Sequence, residues 1–258
     1  MNKIKKVVVS MLWKINLPFE FNKFWSDYIS VHISPNSYFR FWFINPFNGQ
    51  SRRLYNFYGL VHKFNPSIGI ETGTYLGSST WLFFGINLKK VHSIEINEKY
   101  ARSARVRYAQ QLESKILQVH SGNSADVMQV ILSKLPKSER VIAYLDAHWE
   151  SYIPTAVEIE SLINWGGPWI ALIDDFKIET DLTYGFDTYL TTEIGVDLLP
   201  NSKDFYIYLP NETSQYESGA RRGTAYLIGK VAMDTVGNSL IDGLSLKLFE
   251  YPKYSGEK

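Results

Sequence analysis

The chain has 258 residues, 45% of them hydrophobic and 21% charged, with a formal net charge of +1. That length suits one large domain with extensions, and the balance excludes a mainly disordered chain and gives nucleic acid no electrostatic footing. Cysteine is absent, which excludes a disulfide framework, a thiolate metal site and a cysteine nucleophile and fits a cytoplasmic protein; any metal must be held by oxygen or imidazole.

The opening "MNKIKKVVVSMLWKINLPF" sets Lys3, Lys5 and Lys6 before a short apolar run that Lys14 interrupts. The run is too short to span a bilayer and lacks a small-residue cleavage site, so neither secretion nor a transmembrane helix is expected. A basic arm packed on the domain, or on a second copy in a homo-oligomer, is the expectation; an interfacial helix touching membrane is the alternative. Residues 1–50 are crowded with aromatics but show no clean period, and are read as an arm or cap.

From Ser51 the pattern becomes regular. Periodicity predicts a helix "SRRLYNFYGLVHKF", a strand "SIGIE", a helix from about Ser78 and a strand "KVHSIEI". A helix "NEKYARSARVRYAQQLE" follows, with Asn97 as cap and Glu98 at its positive end. Then come a strand "KILQVH", a helix "SADVMQVILSKL", a strand "RVIAYLD", a helix "PTAVEIESLINW" and a strand "PWIALID". Apolar strands alternating with helices imply a parallel sheet covered on both faces. After Asp175 a long loop leads to "DFYIYLP" and "GTAYLIGKV", an antiparallel pair closing the sheet. The expected organisation is an arm over 1–50, an α/β Rossmann-like domain over 51–230 and an extension over 231–258.

Ligands of such sheets bind beyond the carboxyl ends of the strands, and here those ends are acidic. The first delivers Glu71-Thr72-Gly73-Thr74-Tyr75-Leu76-Gly77, the second Glu95, the third Gly122-Asn123-Ser124, the fourth Asp146-Ala147-His148 and the fifth Asp174-Asp175. Gly73 and Gly77 permit a tight turn and close ligand approach, as at dinucleotide sites, but no G-x-G-x-x-G is present. Glu71 would repel a phosphate and suits a cationic, amino-acid-like group. Glu95 is placed to accept ribose hydroxyl protons, and Ser124 with its neighbours offers polar contacts to an adenine. Asp146, Asp174 and Asp175 end adjacent strands; their mutual repulsion would be resolved by a hard cation such as Mg²⁺. Asp174 or Asp175 as a simple turn cap is the alternative. His148 is a candidate proton acceptor.

Within roughly Ser51 to Lys230, "IGIETGTYLGSST", "SIEINEKYA", "SGNSADVM" and "YLDAHWESYIPTAVEIESLINWGGPWIALIDDF" together resemble the class I S-adenosylmethionine-dependent methyltransferases, in particular the metal-dependent catechol O-methyltransferase type. The resemblance implies a seven-stranded sheet with a reversed final strand. It also implies a cofactor site of Glu71, Gly73, Thr74, Gly77, Ser79, Glu95, Asn123, Ser124 and Asp146, and a metal site of Asp146, Asp174 and Asp175. The chain departs from the catechol enzymes at Ala147, an extra residue before His-Trp, and at Glu150, where they carry a basic residue. Their catalytic base therefore does not transfer directly, and His148 is read through the macrocin-type sugar O-methyltransferases, which the Asp-Asp ending also resembles. The implied activity is methyl transfer to a hydroxyl of a small sugar, glycan or phenolic acceptor. Trp149, Tyr152, the loop from Lys177 to Asp187 and Arg221-Arg222 are expected around that acceptor, unless the arginines are a solvated loop. A nicotinamide-dependent oxidoreductase and a non-catalytic cofactor-binding protein are the competing readings.

Overall fold

The computed structural model of the chain describes residues 46–148, 152–201 and 203–250. Its first helix, α1 (Ser51–Phe64), buries Arg53, Asn56, Phe57, Leu60 and Phe64, the stripe its 3.6-residue period dictates. Two arginines in a first turn oppose the helix dipole, and Gln50 supplies no side-chain cap. The cap comes from far along the chain: Glu217 accepts the backbone N–H of Arg52 (3.0 Å) and of Arg53 (3.1 Å).

Five parallel strands follow, β1 (Ile68–Thr72), β2 (Lys90–Glu95), β3 (Leu117–Ser121), β4 (Val141–Leu145) and β5 (Trp169–Ile173). The intervening helices are α2 (Thr80–Phe84), α3 (Glu98–Arg107), α4 (Ala109–Glu113), α5 (Ser124–Ser133) and α6 (Thr155–Trp165). β1, β4 and β5 are buried along their whole length, as expected of central strands covered on both faces. Side chains alternate between two cores. Ile70, Ala143 and Ile173 pack with Met128 of α5 and Leu162 of α6, whereas Ile142, Tyr144 and Leu172 pack with Phe57 and Leu60 of α1.

Beyond β5 lies a small hairpin, β6 (Thr188–Tyr189) and β7 (Thr192–Glu193), then β8 (Phe205–Pro210), β9 (Ala225–Gly229), α7 (Lys230–Val236) and β10 (Leu246–Leu248). The large sheet runs β3-β2-β1-β4-β5-β9-β8-β10, with β9 antiparallel to both β5 and β8. This is the Rossmann-like order with the reversed strand that the sequence predicts, plus an eighth strand. β10 pairs antiparallel with β8 from Leu246 opposite Pro210, so part of the expected 231–258 extension joins the sheet.

The helix predicted over 97–113 is instead two helices that meet at Tyr108 (φ −114°, ψ 32°). The Tyr108 ring packs edge-on against Phe84 at 5.1 Å, and its hydroxyl donates to the Gly77 carbonyl at 2.5 Å. A tertiary anchor here overrides local propensity. Of the expected arm, residues 1–45 lie outside the described residues; Phe47 and Asn48 help line the cleft described next. Among the described residues no helix is long and apolar enough to cross a membrane.

Candidate functional site

The carboxyl ends of β1, β2, β4 and β5 and the turn after β3 open onto one cleft of about 300 Å³. It spans the point between β1 and β4 where the strand order reverses, the place where open α/β sheets bind ligands.

One half of the cleft is lined by Gly73, Thr74, Ser79, Glu95, Asn123 and Ser124. Gly73 has φ +78°, and a Cβ there would stand 2.2 Å from the backbone oxygen of Asp146, so only glycine lets β1 and β4 diverge this tightly. Glu95 accepts the backbone N–H of Tyr75 and of Asn97, each at 2.8 Å. Burial pushes its carboxyl up, and those N–H groups oppose the shift. Asn123 caps α5 by accepting Ala125 N–H at 3.1 Å, and its amide reaches the Tyr152 hydroxyl at 3.4 Å.

Glu71 and Gly77, expected on the wall, lie beneath it. Gly77 (φ +72°) packs against the Tyr108 ring, where a Cβ would come within 2.9 Å. Glu71 is fully buried and accepts hydrogen bonds from Thr80 (2.5 Å) and Ser93 (2.6 Å), while Thr74 bonds to Ser93 at 2.6 Å. The carboxylate thus ties β1, β2, α2 and the glycine turn together. Burial drives its pKa up from 4.5 to about 7 despite those hydroxyls. Because the native state binds this proton more tightly than the unfolded chain, its contribution is full below about pH 4.5 and is lost as pH rises toward 7. Glu71→Gln is therefore expected to flatten that decline, with a gain on the order of 3 kcal/mol at pH 8. Melting temperatures from pH 5 to 8 check it; parallel curves for both proteins refute it.

The other half of the cleft carries Asp146, His148, Asp174 and Asp175. The His148 Nε2 lies 3.5 Å from Asp146 and 3.6 Å from Asp175, and one donor atom from each of the three falls within 4.8 Å of the others. Asp174 is engaged elsewhere. It accepts from Arg53 Nη1 (2.5 Å), the Tyr144 hydroxyl (2.5 Å), Asn48 Nδ2 (3.3 Å) and the Asp175 N–H (2.7 Å), which occupy both its oxygens. Asp175, at φ +54°, pairs with Arg222, which also pairs with Asp187. Burial pushes the Asp175 carboxyl up, but Arg222 and His148 overcome it and hold the group well below the usual carboxylate range. Asp146 moves the other way, pushed up by burial and by the charges of Asp174 and Asp175.

Four carboxylates, Asp146, Asp174, Asp175 and Asp187, thus face two guanidiniums, Arg53 and Arg222. Asp146, His148 and Asp175 are the donors left that could hold a cation there, and a cation would offset the repulsion that pushes Asp146 up.

The acceptor-side expectations divide. Arg222 and Tyr152 line the cleft; Arg221 is exposed and donates to the Glu217 carbonyl; Trp149 and Glu150 lie outside the described residues. Tyr189 of the hairpin, not anticipated, lines the cleft 5.7 Å from the His148 ring and donates to Asp187 at 2.9 Å. Arg53 and Tyr144 were also missed. An arginine on the apolar stripe of α1, in a turn where cations are unfavourable, was the available signal.

No family model matches the chain. Among solved structures, an O-methyltransferase from Bacillus cereus in complex with SAH superposes with TM-score 0.50 at 15% identity, covering 89% of this chain and all (100%) of that one. A structure of MtNAS in complex with MTA and tNA gives TM-score 0.50 at 16% identity, over 81% of this chain and 70% of that one. With the strand order and the reversed β9, the chain has the Rossmann-like fold of the class I S-adenosylmethionine-dependent methyltransferases.

Proposed function

We propose that this chain is an S-adenosylmethionine-dependent O-methyltransferase, assisted by a divalent cation, that acts on a hydroxyl of a small sugar, glycan or phenolic acceptor in the cytoplasm. The observation that carries this reading is one cleft holding a clamped Glu95 at one end and the Asp146–His148–Asp175 cluster at the other. When bound, the cofactor supplies an electrophilic methyl group and the cation stabilises negative charge on the acceptor oxygen.

The protein's own residues supply binding, alignment and proton removal. Glu95, its oxygens oriented by two backbone N–H groups, accepts the cofactor's ribose hydroxyls. Gly73 lets the backbone approach the cofactor, while Asn123 and Ser124 bound its adenine end. Glu71 acts from below by fixing the turn. Asp146 and Asp175 hold the cation, and His148, through Nε2, takes the proton of the acceptor hydroxyl. Asp174 positions rather than ligates, since Arg53 and Tyr144 occupy it. Mg²⁺ suits the carboxylate pair; participation by the imidazole would favour Mn²⁺. Tyr189, Tyr152 and Arg222 flank the acceptor.

A ligand that binds only the folded state raises its melting temperature by mass action. S-adenosylmethionine at 100-fold its Kd should raise it by about 5–10 °C, and NAD should not. A shift with NAD alone would overturn the reading in favour of an oxidoreductase. Methyl transfer into a panel of hydroxylated sugars and phenols, with and without Mg²⁺ or Mn²⁺, then identifies the acceptor and the cation.

A further inference from the structure

Gln50 stands at the N-cap position of α1 without capping it, and the helix draws its cap from Glu217 instead. The residue is only 2% exposed, and its amide is spent on a residue 172 positions away. Gln50 Nε2 donates to the Arg222 carbonyl at 2.8 Å, and the Arg222 N–H donates to Gln50 Oε1 at 2.7 Å. A side-chain amide paired with both main-chain groups of one residue fixes that residue in place and in orientation.

The residue held in this way sends its side chain into the cleft. Arg222 Nε donates to Asp175 and Nη2 to Asp187. The guanidinium passes so close to the loop before the hairpin that a Cβ on Gly185 would stand 3.0 Å from Nη1. Backbone hydrogen bonds join the two segments there, from Gly185 N–H to Arg221 (2.9 Å) and from Gly223 N–H to Gly185 (2.8 Å). Asp187 accepts in turn from the Tyr189 hydroxyl at 2.9 Å, and the Tyr189 ring lies 5.7 Å from that of His148. An arginine side chain is rich in rotamers, so carboxylates at its tip define a single position only when its base is fixed too.

We propose that Gln50 is a positioning residue for the acceptor wall: by holding the Arg222 main chain it directs the guanidinium onto Asp175 and Asp187, and so sets Tyr189 in the cleft. Gln50 itself lies behind that wall. Every link from Gln50 through Arg222 and Asp187 to Tyr189 is a hydrogen bond. A plain tie between α1 and the segment before β9 would need only the Arg222 main chain, whereas this relay also needs its side chain. The inference rests on the methyltransferase reading for what the wall faces.

Hydrogen exchange in the full, metal-free chain, followed by mass spectrometry over residues 185–194, reads the hairpin directly. Gln50→Met keeps most of the volume and removes both amide bonds, while the Arg222 carbonyl retains Arg53 Nη2 at 2.8 Å. The variant should exchange about 10-fold faster in the hairpin, with β1 and β4 unchanged and the Kd for S-adenosylhomocysteine within about threefold. Arg222→Met should accelerate exchange at least as much, and adding Gln50→Met to it should change the rate by less than about twofold, because the first link acts through the second. In methyl transfer to the panel of sugars and phenols, Gln50→Met should raise the acceptor KM about 10-fold and leave kcat within about threefold. Equal acceleration in both backgrounds would make Gln50 an independent structural tie and overturns the proposal, as does an unaltered hairpin or an unaltered acceptor KM in Gln50→Met. If that variant does not fold, Arg222→Met decides alone, and normal hairpin exchange in it is the overturning result. Failure of the methyltransferase reading would show separately, as no thermal response to S-adenosylmethionine.

Discussion

Asp146→Asn is expected to lower turnover about 100- to 10,000-fold, to leave the affinity for S-adenosylhomocysteine within a few-fold, and to stabilise the metal-free protein at pH 8. The three effects have one source. Asp146 carries a carboxylate, its side chain 32% exposed, that burial and the charges of Asp174 and Asp175 push up out of its ordinary range. An acid whose folded pKa is raised favours the native state while protonated and disfavours it once ionised. Its contribution is therefore full at low pH and is lost as pH rises through the folded value. Asparagine keeps the shape and removes the ionisation, so the two proteins should melt alike below the ordinary carboxylate range and diverge as pH rises above it, with the variant higher. Under the proposed function the same negative charge would hold the cation, whose positive charge in turn would stabilise the developing alkoxide. A group that costs stability when the protein is empty and supplies activity when it is full is the signature of a functional site. Melting curves in EDTA from pH 4 to 8, beside methyl-transfer rates, test both signs. Normal turnover in the variant would sink the cation role.

The strands and their acidic ends were legible because both are local. Runs such as "VIAYL" and "WIALI" are apolar without alternation, which fits strands covered on both faces, and the residue after such a run lands on the ligand edge by topology alone. What sequence could not give was the depth and direction of each acid. Glu71 and Thr72 are adjacent, yet Glu71 drops into the β1–β2–α2 side and Thr72 faces α6. Asp174 and Asp175 are adjacent too, and the left-handed backbone at Asp175 sends them to different arginines. Arg53 and Glu217, and the pairing of the expected Arg222 with Asp175, escaped for another reason: the partners lie 121, 164 and 47 residues away, and no periodicity carries such a pairing. Glu158 is the residue that could have been found. Its spacing to Leu162 and Trp165 puts an acid on the apolar face of α6, where burial pushes its carboxyl up and the Ser124 and Thr72 hydroxyls oppose the shift.

Arg53→Met should destabilise the protein by about 3–5 kcal/mol, a fall of about 10 °C in melting temperature. Arg53 is 2% exposed; besides Asp174 it reaches the carbonyls of Arg222 (2.8 Å) and Gly223 (3.2 Å). Methionine fills most of the volume but leaves Asp174 buried with a charge answered only by Tyr144, Asn48 and a backbone N–H. A buried pair contributes little net stability, because desolvation offsets its attraction, whereas half of a pair is expensive to leave behind. Arg53→Met/Asp174→Asn should therefore recover most of the loss, and a double-mutant cycle in urea measures the coupling. The same cycle decides the role of Asp174. A large coupling means that its charge is neutralised within the protein and that the proposed cation would rest on Asp146 and Asp175. A coupling below about 1 kcal/mol would mean that Arg53 does not neutralise Asp174, and would return that carboxylate to the donor set from which its saturated hydrogen bonds now remove it.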